Sequence, residues 1–303
     1  MTTRHGPYDD AVAYDLLHAR GTAAEAAGLL RIARRVLGPR AALGTWLEPA
    51  CGTGRLMIAL ASRGVRQVVG VDLDPGMVDL ARVRIAAAGQ SRRVRVLHGD
   101  MRTLDRLVGG ARFDGAFCTD NSIRHLPTDT AMIDHLRAVA RVLRSGGIYI
   151  VGIGLTPVGG GFAGEDVRSA RRGRVCVHQV LDFLPPPDGA AGRSARMESV
   201  IGRVEVRTGA DVRERLVSYG LRTYTLDQWH GVVRRAGMNE VAVMDLHARP
   251  LGHDRTGYAM RLLAPVNPGT AISAPRVSAR KNPRLSPAPR PDQPRLRVRR
   301  RER

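Results

Sequence analysis

Thr45-Trp46-Leu47-Glu48-Pro49-Ala50-Cys51-Gly52-Thr53-Gly54-Arg55-Leu56 is the stretch on which the reading of this 303-residue chain turns. It reads as a short apolar strand ending near an acid, Glu48, then a tight turn, then a helix over residues 56–62. Ala50, Gly52 and Gly54 strip side chains from the turn. Backbone can then approach a ligand closely, and glycine takes positive φ at little steric cost. The helix start adds N–H groups without intrahelical partners and a positive dipole end. Alone, this pattern suits a nucleotide phosphate, a dinucleotide or another nucleoside. The dinucleotide fingerprint G-x-G-x-x-G fails, because Met57 stands where its third glycine belongs, and no Lys-Ser/Thr follows the glycines as a P-loop requires.

Outward from the turn, strands and helices alternate. Residues 66–72 read as a second strand, and Asp74-Pro75 supplies an N-cap and an N1 proline for a helix over 76–88. Asp72 lies 24 residues after Glu48 at a strand's C-terminal end. In a doubly wound sheet ligands bind there, and an acid at about that distance accepts from ribose hydroxyls. A helix-capping or solvent-facing role is the plainer alternative. Val94-Arg95-Val96-Leu97-His98 is a third strand leading into Gly99-Asp100-Met101, which taken alone is a turn acid and a core methionine. A fourth strand, residues 113–119, runs into Asp120-Asn121-Ser122-Ile123-Arg124-His125-Leu126. A helix over 129–143, the turn Arg144-Ser145-Gly146-Gly147 and a fifth strand over 148–153 follow.

In this order the motifs resemble class I S-adenosylmethionine (SAM)-dependent methyltransferases over residues ~45 to ~263. Residues 48–54 correspond to motif I, [DE]-x-G-x-G-x-G, with Ala50 replacing its first glycine. The resemblance implies a Rossmann-like, doubly wound α/β fold: seven strands in the order 3-2-1-4-5-7-6, strand seven antiparallel. It implies SAM as cofactor, held by Glu48, Ala50, Gly52 and Gly54 at the turn and by Asp72, Leu73 and Met77 after strand two. Asp100 would accept from the adenine amino group, Met101 would pack on the ring, and Thr119 would contact the methionine moiety. Tyr14, in the pair Tyr14-Asp15, resembles the N-terminal tyrosine that caps the cofactor in small-molecule members; a half-buried helix tyrosine is the alternative.

The Asn-Ser-x-x-His-Leu pattern at 121–126 is typical of small-molecule members, and the Asn-Pro-Pro-Tyr signature of base and amide methyltransferases is absent. Methyl transfer is an in-line displacement that needs a base only when the acceptor is protonated. His125 and Asp120 are the candidates for that base, against a histidine merely bonded to nearby backbone; His178 is a third, against a solvent-facing one.

Residues 7–20 and 23–37 read as two lead-in helices, the second ended by Gly38-Pro39. After a Gly-rich, basic loop at 154–173, loose alternation over 174–183, 196–207 and 212–219 predicts a small antiparallel sheet inserted after strand five. It resembles the lid of glycine and aminosugar N-methyltransferases. A capping box at Thr225–Gln228 opens a further helix, and residues 240–246 and 258–263 complete the main sheet. The expected organisation is a methyltransferase domain over 1–264, with a helical cap at 1–43 and a lid at 154–221. A disordered Pro/Arg-rich tail over 265–303 holds eight of the eighteen prolines.

The net charge of +20 would suit nucleic acid, but 47 of the 48 basic residues are arginine, which points to codon bias as its source. No apolar run at residues 1–9 reads as a signal peptide, and no window reads as a membrane span. The three cysteines lack metal-ligand spacing, so no metal is expected, and a reduced, cytoplasmic protein is the expectation. The sequence therefore reads as a methyltransferase acting on N or O of a small molecule, monomeric or homodimeric. A nucleic-acid methyltransferase using the basic surface and tail, and a non-catalytic SAM-binding protein, are the alternatives. No residue of the insert spells out an acceptor.

Overall fold

The structure, a computed structural model, describes residues 10–266 except 159, 162, 188 and 193. The chain divides into residues 1–272 and 273–303, and nearly all of the proline-arginine tail lies outside the described residues.

Two helices, α1 (Ala11–His18) and α2 (Thr22–Ala42), lead into β1 (Thr45–Pro49). Strands and helices then alternate: α3 (Arg55–Ala61), β2 (Gln67–Asp72), α4 (Pro75–Ala87), β3 (Val94–His98), α5 (Leu104–Leu107), β4 (Phe113–Cys118), α6 (Asp129–Val142) and β5 (Leu143–Leu155). An antiparallel hairpin series follows as β6 (Gly164–Arg172), β7 (Val175–Leu184), β8 (Met197–Thr208) and β9 (Asp211–Arg222). The chain returns through α7 (Leu226–Arg235), β10 (Met238–Met244), β11 (Pro250–Leu251) and β12 (Gly257–Pro265).

The main sheet runs β11-β10-β12-β5-β4-β1-β2-β3, with β1 to β5 parallel and β12 antiparallel to both β5 and β10. The expected order 3-2-1-4-5-7-6 is recovered, with a correction: there are eight strands, because two-residue β11 pairs with the outer edge of β10. All five residues of β1 are buried, as befits a central parallel strand covered on both faces. Successive side chains alternate across the sheet. Leu47, Ala116 and Tyr149 join the core beneath α6 and α7, while Trp46, Phe117 and Ile150 join the core beneath α2, α3 and α4.

The insert differs from its expected form in one strand. Residues 164–172, expected within a loop, form β6, paired to β7 along its whole length, so the second sheet has four strands. Its alternation was hidden by charge: Glu165, Asp166, Arg168, Arg171 and Arg172 punctuate an edge strand, where charges guard against further pairing. The inner face of this sheet, Val177, Leu181, Val200, Val204, Val217 and Leu221, packs on Ala13, Leu16 and Leu17 of α1. Helix α2 also outruns its expected end. It breaks at Gly38 (φ 79°) and resumes after Pro39, whose fixed φ suits a first helical turn.

Candidate functional site

A pocket at the C-terminal ends of β1 and β4 is lined by Tyr14, Glu48, Ala50, Cys51, Gly52, Thr53, Arg55, Thr119, Asp120 and Ser122. The turn after β1 makes its floor. Ala50, Gly52 and Gly54 have φ of 53°, 52° and 73°. Glycine takes left-handed backbone at little cost, and alanine meets it with the smallest L side chain at a modest cost in strain.

Asp72 clamps this turn. Its Oδ2 accepts the Gly52 N–H at 2.6 Å and its Oδ1 accepts the Asp74 N–H at 3.0 Å. Burial raises its pKa, against the lowering effect of these backbone bonds. The Leu73 backbone also bonds this carboxylate, so backbone N–H groups take three of its roughly four acceptor sites.

Glu48 is 5% exposed, and its Oε2 has no hydrogen-bond partner among the described residues. Burial drives its pKa well up, although Arg55 opposes this. An orphaned acceptor in a pocket wall is costly unless a donor arrives to meet it.

The roof comes from α1. The Tyr14 ring stacks on His18 with centroids 3.9 Å apart, and a β-carbon placed on Gly52 would touch Tyr14 Cε1 at 3.6 Å. Burial pushes the Tyr14 phenol up and lowers the His18 imidazole to about 4, so both are neutral at pH 7. Asp15, 3% exposed, accepts from Thr53 Oγ1 at 2.8 Å and pairs with Arg84 Nη1 at 2.6 Å. Arg84 donates to the Thr53 carbonyl at 2.9 Å, closing a triangle that ties α1, the turn and α4 together.

The far wall follows β4. Asp120 and Asn121 are consecutive left-handed residues, φ 55° and 60°. They are held by the Asp120 N–H donating to Tyr258 Oη at 3.1 Å and the Gly154 N–H donating to Asn121 Oδ1 at 2.7 Å. His125 ends the single-turn helix Ser122–His125 and stacks on Tyr219 of β9, centroids 5.4 Å apart. Burial, with Arg124 adding to it, lowers His125 to about 4, so it is neutral at pH 7 and a weaker base than a free imidazole.

The structure thus gathers Tyr14, Glu48, Ala50, Gly52, Thr119 and Asp120 in one pocket. Gly54 caps α3 at the pocket's edge. Leu73 is 67% exposed, whereas Met77 is buried at 1% with its N–H capped by Asp74, so Met77 stands in the core and outside the pocket lining. Asp100 and Met101 follow β3, also outside the lining. The Asp100 carboxylate is engaged by the Arg102 guanidinium, which holds its pKa below the usual range, and the Met101 carbonyl lies 3.0 Å from His135 Nδ1. His178 is not at this site: it bonds Ser169 Oγ at 2.7 Å on the insert.

Arg55 escaped the sequence reading. It stands at the first position of α3, where a cation opposes the helix dipole, and that local misfit was the available signal. Its Nη1 meets Glu25 Oε2 and its Nη2 meets Asp120 Oδ2, both at 2.6 Å. Burial lowers its pKa, but the two carboxylates, Glu25 foremost, raise it further.

Residues 47–147 match the family described as a methyltransferase domain. This span runs from within β1 to Gly147 within β5 and takes in Glu48, Asp72, Asp100 and the segment after β4. Over 107 residues the chain is 33% identical to YqeM of Bacillus subtilis, a match covering 35% of this chain and 41% of that protein. The sugar N-methyltransferase KedS8 from Streptoalloteichus sp. superposes with a TM-score of 0.64 at 20% identity, over 88% of this chain and 96% of its own. SAM-bound CalS10, an amino pentose methyltransferase from Micromonospora echinaspora, gives 0.58 at 24%, over 87% and 98%. The fold is therefore the one these solved SAM-dependent methyltransferases share. Among the described residues no helix is long and apolar enough to cross a membrane.

Proposed function

We propose that this chain binds SAM in the β1–β4 pocket and transfers a methyl group to N or O of a small-molecule acceptor. The observation that carries this reading is the buried, unpartnered Oε2 of Glu48 in a pocket whose floor is bare, left-handed backbone clamped by Asp72. That chemistry fits the group: an ammonium satisfies Glu48, a ribose hydroxyl suits the remaining acceptor site of Asp72, and Tyr14 covers the turn.

Bound SAM supplies a methyl group already activated by its sulfonium. The chain's own task is alignment and exclusion of water. Tyr14 and His18 on α1 close the pocket from above, and the insert, packed on the other side of α1, serves as the lid. His125 and Asp120 flank the acceptor side. Tyr219 fixes the His125 ring plane; with its pKa lowered to about 4, His125 is a weak base that orients an acceptor amine or hydroxyl and takes its proton only as positive charge develops on it. The named substrates of KedS8 and CalS10 are a sugar and an amino pentose, and they support an aminosugar-like acceptor here. We take residues 1–264 as the working domain and the cytoplasm as its compartment.

Calorimetric titration with SAM and S-adenosylhomocysteine tests the reading. Binding of both, lost in Asp72→Ala, is expected and would justify screening amines, aminosugars and phenols as acceptors. If the folded protein binds neither, the reading is overturned.

A further inference from the structure

One ion pair in the pocket joins a buried cation to a carboxylate at the rim. Arg55 is held by two carboxylates of different standing. Glu25, on α2, has a side chain 14% exposed and bonds Arg55 Nη1; it belongs to the framework. Asp120, at the rim, is 45% exposed and bonds Nη2, the nitrogen on the pocket side of the pair. The Arg55 side chain itself is only 11% exposed, so that it depends on carboxylate partners to offset its lost hydration. A guanidinium in a ligand pocket that also contains the orphaned acceptor of Glu48 is matched, group for group, to an α-amino acid zwitterion: carboxylate to Arg55, ammonium to Glu48.

Resting on the cofactor assignment above, we infer that Arg55 binds the carboxylate of the cofactor's amino-acid moiety and that Asp120 is its internal stand-in, displaced when that carboxylate arrives. The backbone supports an exchangeable role. Asp120 and Asn121 both occupy left-handed conformation, which costs a non-glycine residue free energy, and the segment is held there by Tyr258 Oη and Gly154 N–H and not by burial of the Asp120 side chain. Displacement releases a carboxylate at the rim, two residues before the helix that carries His125. An amine acceptor would then meet an anionic site only after the cofactor is seated, which orders the two binding events.

The competition has a measurable consequence. An internal carboxylate that occupies Arg55 most of the time weakens the apparent affinity for a carboxylate ligand by the fraction of time the site is open. The test is calorimetry of S-adenosylhomocysteine against 5′-methylthioadenosine, which keeps the nucleoside and lacks the amino-acid head. Asp120→Asn is isosteric and asparagine tolerates left-handed backbone, so the loop is preserved. It is expected to bind S-adenosylhomocysteine about tenfold more tightly while 5′-methylthioadenosine changes less than about twofold. Arg55→Gln is expected to weaken S-adenosylhomocysteine more than about tenfold, again sparing 5′-methylthioadenosine, whose binding also reports that the pocket remains folded. If the ratio of the two affinities is unmoved by either substitution, or Asp120→Asn lowers it, the inference is overturned while the cofactor assignment stands. If the wild-type chain binds neither ligand, it is the cofactor assignment that has failed.

Discussion

Asp129→Asn should loosen the insert from the core. Asp129 begins α6, behind the N-cap Thr128, where a negative charge also complements the helix dipole. Its Oδ2 accepts from Arg196 Nη1 at 2.7 Å, and its Oδ1 accepts from Arg222 Nε and Nη2 at 3.1 and 3.0 Å. Both guanidinium groups lie over the Tyr224 ring, at 4.9 and 5.8 Å from its centroid. Arg196 immediately precedes β8 and Arg222 ends β9, so one carboxylate fastens both strands to the helix that follows the His125 segment. Arg124 adds a parallel tie, with Nη2 on Glu198 Oε2 at 2.7 Å and Nε on the Arg222 carbonyl at 2.9 Å.

Removing the charge and keeping the shape separates electrostatics from packing. A hydrogen bond to a charged group contributes about 1.5–3 kcal/mol, roughly twice its neutral counterpart. Asparagine retains one acceptor, loses the charge, and leaves Arg222, whose side chain is 7% exposed, with the Pro127 carbonyl and a neutral amide. Because the Asp129 side chain is 30% exposed, water replaces part of the loss, and the net cost is set at about 2 kcal/mol. For a domain of this size that lowers Tm by about 4–8 °C. Burial raises the Asp129 pKa, but its bonds to Arg196 and Arg222 outweigh that and leave it depressed. Its contribution is therefore present above the unfolded carboxylate pKa and fades as pH falls through the folded one. The gap between wild type and Asp129→Asn in urea denaturation should be constant from pH 6 to 8 and close below about pH 4. Amide exchange should accelerate first in β8 and β9. A change under about 0.5 kcal/mol at pH 7, or a gap that persists in acid, would refute the argument.

Other consequences follow from single buried groups. His18, His125 and His135 are each lowered to about 4, so between pH 6.5 and 4 the unfolded chain binds up to three more protons than the folded one. Stability should fall on acidification through that window by up to roughly 4 kcal/mol per pH unit, and His135→Gln should remove about a third of the slope in pH-dependent urea melts. Glu240→Gln should cost about 3–5 kcal/mol, because the Glu240 carboxylate is the anionic partner of fully buried Arg261 and also accepts from Trp229 Nε1 at 2.9 Å; a thermal melt reads it directly. Gly115→Ala should destabilise by about 1–3 kcal/mol, since its β-carbon would fall 2.5 Å from Trp46 Cη2 in the core, and near-UV circular dichroism should report the disturbed indole.

The parallel half of the fold was legible in the sequence because buried parallel strands announce themselves as apolar runs and Asp74-Pro75 opens α4. The expected turn at 144–147, however, is part of β5, which passes through it with a shift of register against β4. Strand β6 was not legible: its exposed, charged residues carry little apolar alternation, and its identity comes from the register with β7. Two-residue β11 lies below the length at which any periodicity can show. At the site, glycine spacing disclosed the turn, but the partners of its charges are non-local. Asp15 reaches Thr53, Glu25 reaches Arg55, and Arg55 reaches Asp120, each across thirty or more residues that no local pattern relates. His178, read as a third candidate or a solvent-facing residue, bonds Ser169 on the insert: a histidine on a two-residue repeat carries no sign of which face it occupies.

Helix α1 shows how these parts depend on one another. Eight residues are too few for a helix to persist alone in water. Ala13, Leu16 and Leu17 form one face, spaced i, i+3, i+4, and are buried against β7, β8 and β9; Tyr14, Asp15 and His18 form the adjoining face, over the turn after β1. Each face alone offers little. The apolar face has two leucines and an alanine, and Asp15 would be an unpaired buried charge without Thr53 and Arg84. Order in α1 therefore requires the insert and the turn at once, with Arg172 of β6 adding a third link to Asp15 at 3.6 Å. A ligand that settles the turn stabilises α1, α1 stabilises the inner face of the insert, and the insert in turn steadies Tyr219 against His125. Packed side chains thus link the proposed cofactor and acceptor sides without contact between the two ligands.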